Sequence, residues 1–155
     1  MDRRRKPRPT LTVTFHKVDG RSPHAWWEAV KTTRGRVTGG YMPTGRGRIP
    51  HDMAHMATEA ELEIDHGFWG LLARGATYHH GTRQRPTEPG RRIIRENRAA
   101  LGAAEALGNE HHFAWAQGNP TPIASTFDRL AALWESTPDG ATLTVQWPSL
   151  DIVEP

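Results

Sequence analysis

The chain has no cysteine. That one absence removes disulfide frameworks, thiolate metal sites and cysteine nucleophiles together. It also has no apolar run near the roughly 20 residues that a membrane-spanning helix needs. Residues 1–9 are basic and lack the apolar stretch of a secretory signal, so a cytoplasmic protein with no membrane partner is expected. There is no G-x-S-x-G turn, no Walker A loop and no dinucleotide fingerprint. Serine-nucleophile and nucleotide chemistry are therefore without a motif.

What remains is a polar chain of 155 residues with 36% hydrophobic and 24% charged residues, a composition suited to one domain with a real core. The formal net charge is only +3, but arginine dominates the cations and clusters. Arg3, Arg4, Arg5, Lys6 and Arg8 occupy the first nine residues; Arg34, Arg36, Arg46 and Arg48 follow; a third group runs from Arg83 to Arg98. Such clusters suit phosphate, on nucleic acid or on a small ligand. No helix-turn-helix, zinc-finger or RRM signature accompanies them, which favours solvated loops.

Residues 1–9 are expected to be a disordered basic arm and 10–155 a single α+β domain. Leu11, Val13 and Phe15 alternate with threonines, the period of a half-buried strand. A second strand is expected at residues 26–30, and a hairpin turn at Arg34-Gly35 leads to a third at 37–41. A glycine-rich loop over 39–48 delivers the chain to a helix over 50–63. Short helical segments follow at 68–72 and 91–107, the latter ending near Gly108-Asn109 and resuming at His112. Residues 79–90 are expected to form a long loop. Ile123, Phe127, Leu130 and Trp134 recur at helical spacing. Leu143, Val145 and Trp147 alternate in a closing strand, a candidate partner for the first. N-terminal strands, a central group of helices and a C-terminal strand favour α+β over α/β.

The densest chemistry lies in Pro50-His51-Asp52-Met53-Ala54-His55-Met56-Ala57-Thr58-Glu59. On a helix this spacing stacks His51, His55 and Glu59 along one face. Two imidazoles at i and i+4 can bind one transition-metal ion from a rigid element. Pro50 suits the first helical position and Asp52 the amino end. The helix dipole should keep His51 neutral, which is its ligating form. A rise of about 1.5 Å per residue separates the Cα atoms of His51 and Glu59 by about 12 Å, so Glu59 is expected as a strained ligand or a partner behind one. A further ligand is sought among His66, His79, His80, Glu110, His111 and His112. Neighbouring residues point apart, so only one of each adjacent histidine pair can ligate. The bland alternative is a chance histidine pair with solvated carboxylates.

The stretch Pro50-His51-Asp52-x-x-His55-x-x-x-Glu59, followed by Gly67-Phe68-Trp69-Gly70, resembles uncharacterised small bacterial proteins that share a P-H-D-x-x-H helix. Locally it is also similar to the zinc-binding H-D-x-x-H helix of the coenzyme Q biosynthesis protein family. That resemblance implies a divalent metal, zinc first. That family's third-ligand glutamate falls at Gly67 here. Compared with H-E-x-x-H peptidases, Asp52 is one methylene shorter than the glutamate base.

The expectation is a histidine/carboxylate metal site: His51 and His55 as ligands, Asp52 and Glu59 handling protons or orienting a ligand, and Arg46 and Arg48 attracting an anionic group. The site would serve a metal-dependent hydrolase or lyase acting on a small molecule or modified peptide. The competing expectations are a non-catalytic protein binding nucleic acid or an acidic partner through its basic arm, and metal-free His51/Asp52 acid–base chemistry.

Overall fold

The computed structural model describes residues 8–18, 24–31, 37–43, 48–78 and 85–154, and of these the side chains at 24, 25, 31 and 37–43 lie outside the description. The expected turn at Arg34-Gly35 also lies outside the described residues, as do Arg46, His79, His80 and residues 1–7.

Three strands open the fold: β1 (Leu11–His16), β2 (His24–Lys31) and β3 (Val37–Pro43). Five helices follow: α1 (His51–Glu61), α2 (Phe68–Ala73), α3 (Glu88–Glu96), α4 (Arg98–Ala116) and α5 (Ala124–Ser136). β4 (Thr142–Trp147) closes the chain. The sheet has the order β3-β2-β1-β4 with every pairing antiparallel, and β4 lies against β1 with Leu11 opposite Trp147 and Phe15 opposite Leu143. The fold is α+β.

Alternation decides which sheet face is covered. Leu11, Val13, Phe15, Trp27, Ala29, Leu143, Val145 and Trp147 are buried on the helical side. Thr12, Thr14 and His16 face outward, where Thr14 meets Thr144 at 3.1 Å and Gln146 donates to Thr12 at 3.0 Å. Trp69 of α2 fills the space between sheet and helices. Its ring lies 4.7 Å from that of Trp27 and 6.3 Å edge-on from Phe15, and its indole N–H donates to the Asp52 carbonyl at 3.0 Å. One buried aromatic thus ties the sheet to α1 and finds a partner for its polar atom.

Several boundaries differ from the sequence reading: β3 runs to Pro43 into the expected loop, α1 ends at Glu61, and the helix expected over 91–107 is two, divided at Asn97. Pro50 is the N-cap of α1 rather than its first helical residue, with an extended ψ of 148°, and its carbonyl accepts from Ala54. α3 begins earlier, at Glu88, because the Thr87 side chain accepts from the Gly90 amide at 3.1 Å and caps it. α4 runs unbroken through Gly108 and Asn109, where a stop was expected. Glycine is used there for close packing rather than for a turn.

Arg8, assigned by sequence to the basic arm, is docked. It donates to Asp65 at 2.6 Å and to the Ile64 carbonyl at 3.1 Å, and its guanidinium lies over the Trp147 ring at 5.0 Å. Among the described residues, no helix is long and apolar enough to cross a membrane.

Candidate metal centre

α1 and α4 pack face to face and build the site between them. α1 supplies His51 and His55, one turn apart. α4 supplies Glu105, Asn109 and His112, spaced four and then three residues so that they share one face. The approach is close because Gly108 lies against the His55 imidazole; a Cβ there would overlap its Nδ1 and Cε1 atoms.

The two histidines converge. Their rings are 4.2 Å apart, and His51 Nε2 and His55 Nε2 lie 3.2 and 3.1 Å from the same atom, the Asn109 side-chain oxygen. Glu105 closes the third side, 3.8 Å from His51 Nε2 and 3.4 Å from His55 Nδ1. One ligand atom from each of His51, His55 and Glu105 lies within 4.8 Å of the others, so the group can hold a metal ion. A tetrahedral zinc ion with bonds of about 2.0–2.1 Å needs its ligands about 3.3 Å apart, so modest contraction completes the site. Glu105 has the freedom to supply it, its side chain being 51% exposed.

Asp52 links the site to the sheet. Its Oδ2 accepts from the Trp27 indole N–H at 2.9 Å, and its Oδ1 lies 3.2 Å from His51 Nδ1. With its Nδ1–H donated to Asp52, a neutral His51 turns its Nε2 lone pair toward the Asn109 side-chain amide. The pKa directions follow. His51 is raised, first by its bond to Asp52 and against the opposing effect of burial. This direction is opposite to the neutral form expected from the helix amino end. His55, 3% exposed, is lowered, first by burial and then by the His51 charge, which keeps it in its ligating form.

Glu59 is placed elsewhere. Its carboxylate accepts from the Trp69 and Gly70 amides at 3.0 and 3.1 Å and so caps the amino end of α2. Gly67 leaves room for it, since a Cβ there would overlap the carboxyl carbon. The group is 1% exposed, and burial pushes its pKa up to about 8 although the α2 amides pull it down. The spacing put Glu59 on the histidine face, but the structure does not bring it into the His51–His55–Glu105 group. Arg48 is paired with Glu135 of α5 at 2.9 Å and lies over the Trp115 ring of α4 at 5.2 Å, and Arg46 is outside the described residues.

Of the other expected ligands, His66 is exposed and His111 is held by Thr121 at 2.8 Å. His112, about 100° further round the helix, makes other contacts. It stacks near Trp115 and Phe127, its Nε2 is buried without a partner among the described residues, and the charges of His51 and His55 bear on it. Glu105 and Asn109 were missed. Their signal was the Glu105-x-x-x-Asn109-x-x-His112 spacing, hidden by the helix break expected at Gly108.

Comparison with known family models, with curated proteins and with solved structures found no match. The functional reading therefore rests on the site's own chemistry.

Proposed function

We propose that this is a small metalloprotein in which His51, His55 and Glu105 hold one divalent transition-metal ion, zinc foremost, and that the centre serves hydrolytic or lyase chemistry on a small molecule or modified peptide. One observation carries the reading: a nitrogen of each imidazole and a carboxylate oxygen of Glu105 lie within 4.8 Å of one another, with both Nε2 atoms turned to the Asn109 side chain. Two histidines and a glutamate form a ligand set used by catalytic zinc, which leaves a further position for water or substrate. The similarity to the zinc H-D-x-x-H helix points the same way.

A bound ion supplies Lewis acidity, polarising a substrate oxygen or lowering the pKa of water. The chain does the rest. Asp52 holds the Nδ1–H of His51 and so presents its Nε2 to the ion, the role of a carboxylate behind a ligating histidine. Asn109, whose side-chain oxygen lies against both Nε2 atoms, would offer a hydrogen-bonding amide beside a bound ion. Elemental analysis of untagged protein tests the proposal. About one metal per chain is expected, lost in His51→Ala and His55→Ala and weakened in Glu105→Gln. No metal after reconstitution with zinc, iron and manganese would sink it, and activity surviving full chelation would transfer the chemistry to metal-free His51 and Asp52.

A second reading, contact with nucleic acid, has one observation in its favour: Arg91, Arg92 and Arg98 are exposed around the junction of α3 and α4. Salt-sensitive binding lost on reversal of these charges supports it, and no binding at low salt removes it.

A further inference from the structure

A groove of about 800 Å³ runs along α4, lined by Ala106, Asn109, Glu110, His112, Phe113 and Ala116, with Gln117 at its end. Two of its residues, Asn109 and His112, belong to the α4 face that meets the histidines of α1. The groove therefore joins the candidate metal centre at the residue both imidazoles address. Its described lining is one face of α4, open to solvent. The rest of its wall mixes apolar Ala106, Phe113 and Ala116 with polar Glu110 and Gln117. Phe113 is 67% exposed, the most exposed large hydrophobic side chain among the described residues, and Ala106 and Ala116 lie about one and two helical turns from Asn109 without bulk to fill the space.

Resting on the metal reading above, we infer that this groove is the substrate site of the metal centre, and that its ligand is a small molecule with a metal-binding carbonyl-type oxygen on a ring-sized apolar body. The head reaches the ion past Asn109. The body lies on Ala106 and Ala116 with Phe113 against its face, where aromatic rings gain offset or edge-on contacts. Glu110 within the groove and Glu105 beside the ion set the charge: an anionic body is repelled, and a neutral or cationic one is accepted. The outer wall is spaced 106, 110, 113 and 117 along one helix, so the ligand runs parallel to α4.

The probes are two hydroxamates that share one chelating head, acetohydroxamate with a methyl body and benzohydroxamate with a phenyl body. Both are titrated calorimetrically into the full chain loaded with zinc, after zinc content is measured on the same sample. Benzohydroxamate is expected to bind at least tenfold more tightly. Phe113→Ser and Ala106→Asp, both at exposed positions, are expected to cut that ratio below threefold while leaving zinc content and acetohydroxamate affinity unchanged. Equal affinity of the two probes for the wild-type chain overturns the inference, as does a preference that survives both substitutions. In either case zinc is still bound and the metal reading stands. A chain that takes up no zinc fails the metal reading, and this inference with it.

Discussion

Gly108 of α4 and His55 of α1 are in direct contact: the glycine has no side chain where the imidazole lies, and a Cβ would overlap the ring. The centre thus depends on a missing methyl group as much as on its ligands. Gly108→Ala is expected to push His55 away from the point it shares with His51, lowering zinc affinity at least tenfold and melting temperature with it. At Gly102, on the same helix, an added methyl would meet nothing within 4 Å. There the alanine exchange is expected to stabilise by about 0.5–1 kcal/mol through helix propensity. Chelator competition and thermal melts on both variants decide the matter. Matching behaviour would mean that the Gly108 contact does not position His55.

Asp52 has two duties that substitutions separate. Asp52→Asn keeps an oxygen for the Trp27 indole but gives up the charge that draws the His51 Nδ1 proton. The fold is expected to hold, while zinc affinity falls by about 10- to 100-fold, the scale for carboxylates behind metal-bound histidines. Asp52→Ala also strands the indole N–H and is expected to cost about 1–3 kcal/mol more. Zinc affinity equal to wild type in Asp52→Asn would show that His51 needs no orienting partner.

The parts of the molecule legible in the sequence are those whose partners are set by a local period. Leu11/Val13/Phe15 and Leu143/Val145/Trp147 gave away their strands because alternation follows from burying one face. His51, Asp52 and His55 were legible because helical spacing alone places them together. Glu59 stood out in the sequence, but its task did not. Its partners are backbone amides ten and eleven residues ahead, and amides leave no trace in residue identity. Glu105 and Asn109 were hidden by Gly108, which reads as a helix end when taken locally. Only the packing of α1 against α4 shows that the glycine makes room for an imidazole.

Glu59 gives a pH dependence of definite sign. Burial raises its pKa from 4.5 to about 8, so between those values the folded chain retains a proton that the unfolded chain has released. Its contribution is fully present below the unfolded value and is lost as pH rises through the folded one. Glu59→Gln keeps an oxygen for the Trp69 and Gly70 amides and cannot ionise. Relative to wild type, the variant is expected to gain stability on going from about pH 5 to about pH 9, with zinc affinity unchanged. Parallel melting profiles across that range would place the group's pKa near its ordinary value. A tenfold loss of zinc affinity would return Glu59 to the metal site.

His112 presents the opposite sign. Burial lowers its pKa from 6.5, and the His51 and His55 charges lower it further. A protonated His112 is therefore excluded from the folded state more than from the unfolded one. Its contribution holds above the unfolded value and is lost as pH falls below it. Its buried Nε2 has no partner among the described residues, so a ring without nitrogen gives up little there. His112→Phe keeps an aromatic face near Trp115 and Phe127, whose centroids lie 6.3 and 6.1 Å away. In metal-free protein the variant is expected to match wild type within about 1 kcal/mol near neutral pH, the scale of one buried polar atom. It is expected to outlast wild type as pH drops toward about 5. His55 is lowered by burial too and His51 is raised, so the comparison is made between His112→Phe and wild type under identical conditions, where those two effects cancel. Denaturant melts at the two pH values measure the difference. A variant weakened equally at both would show that the imidazole nitrogens carry a hydrogen bond that holds the helices together.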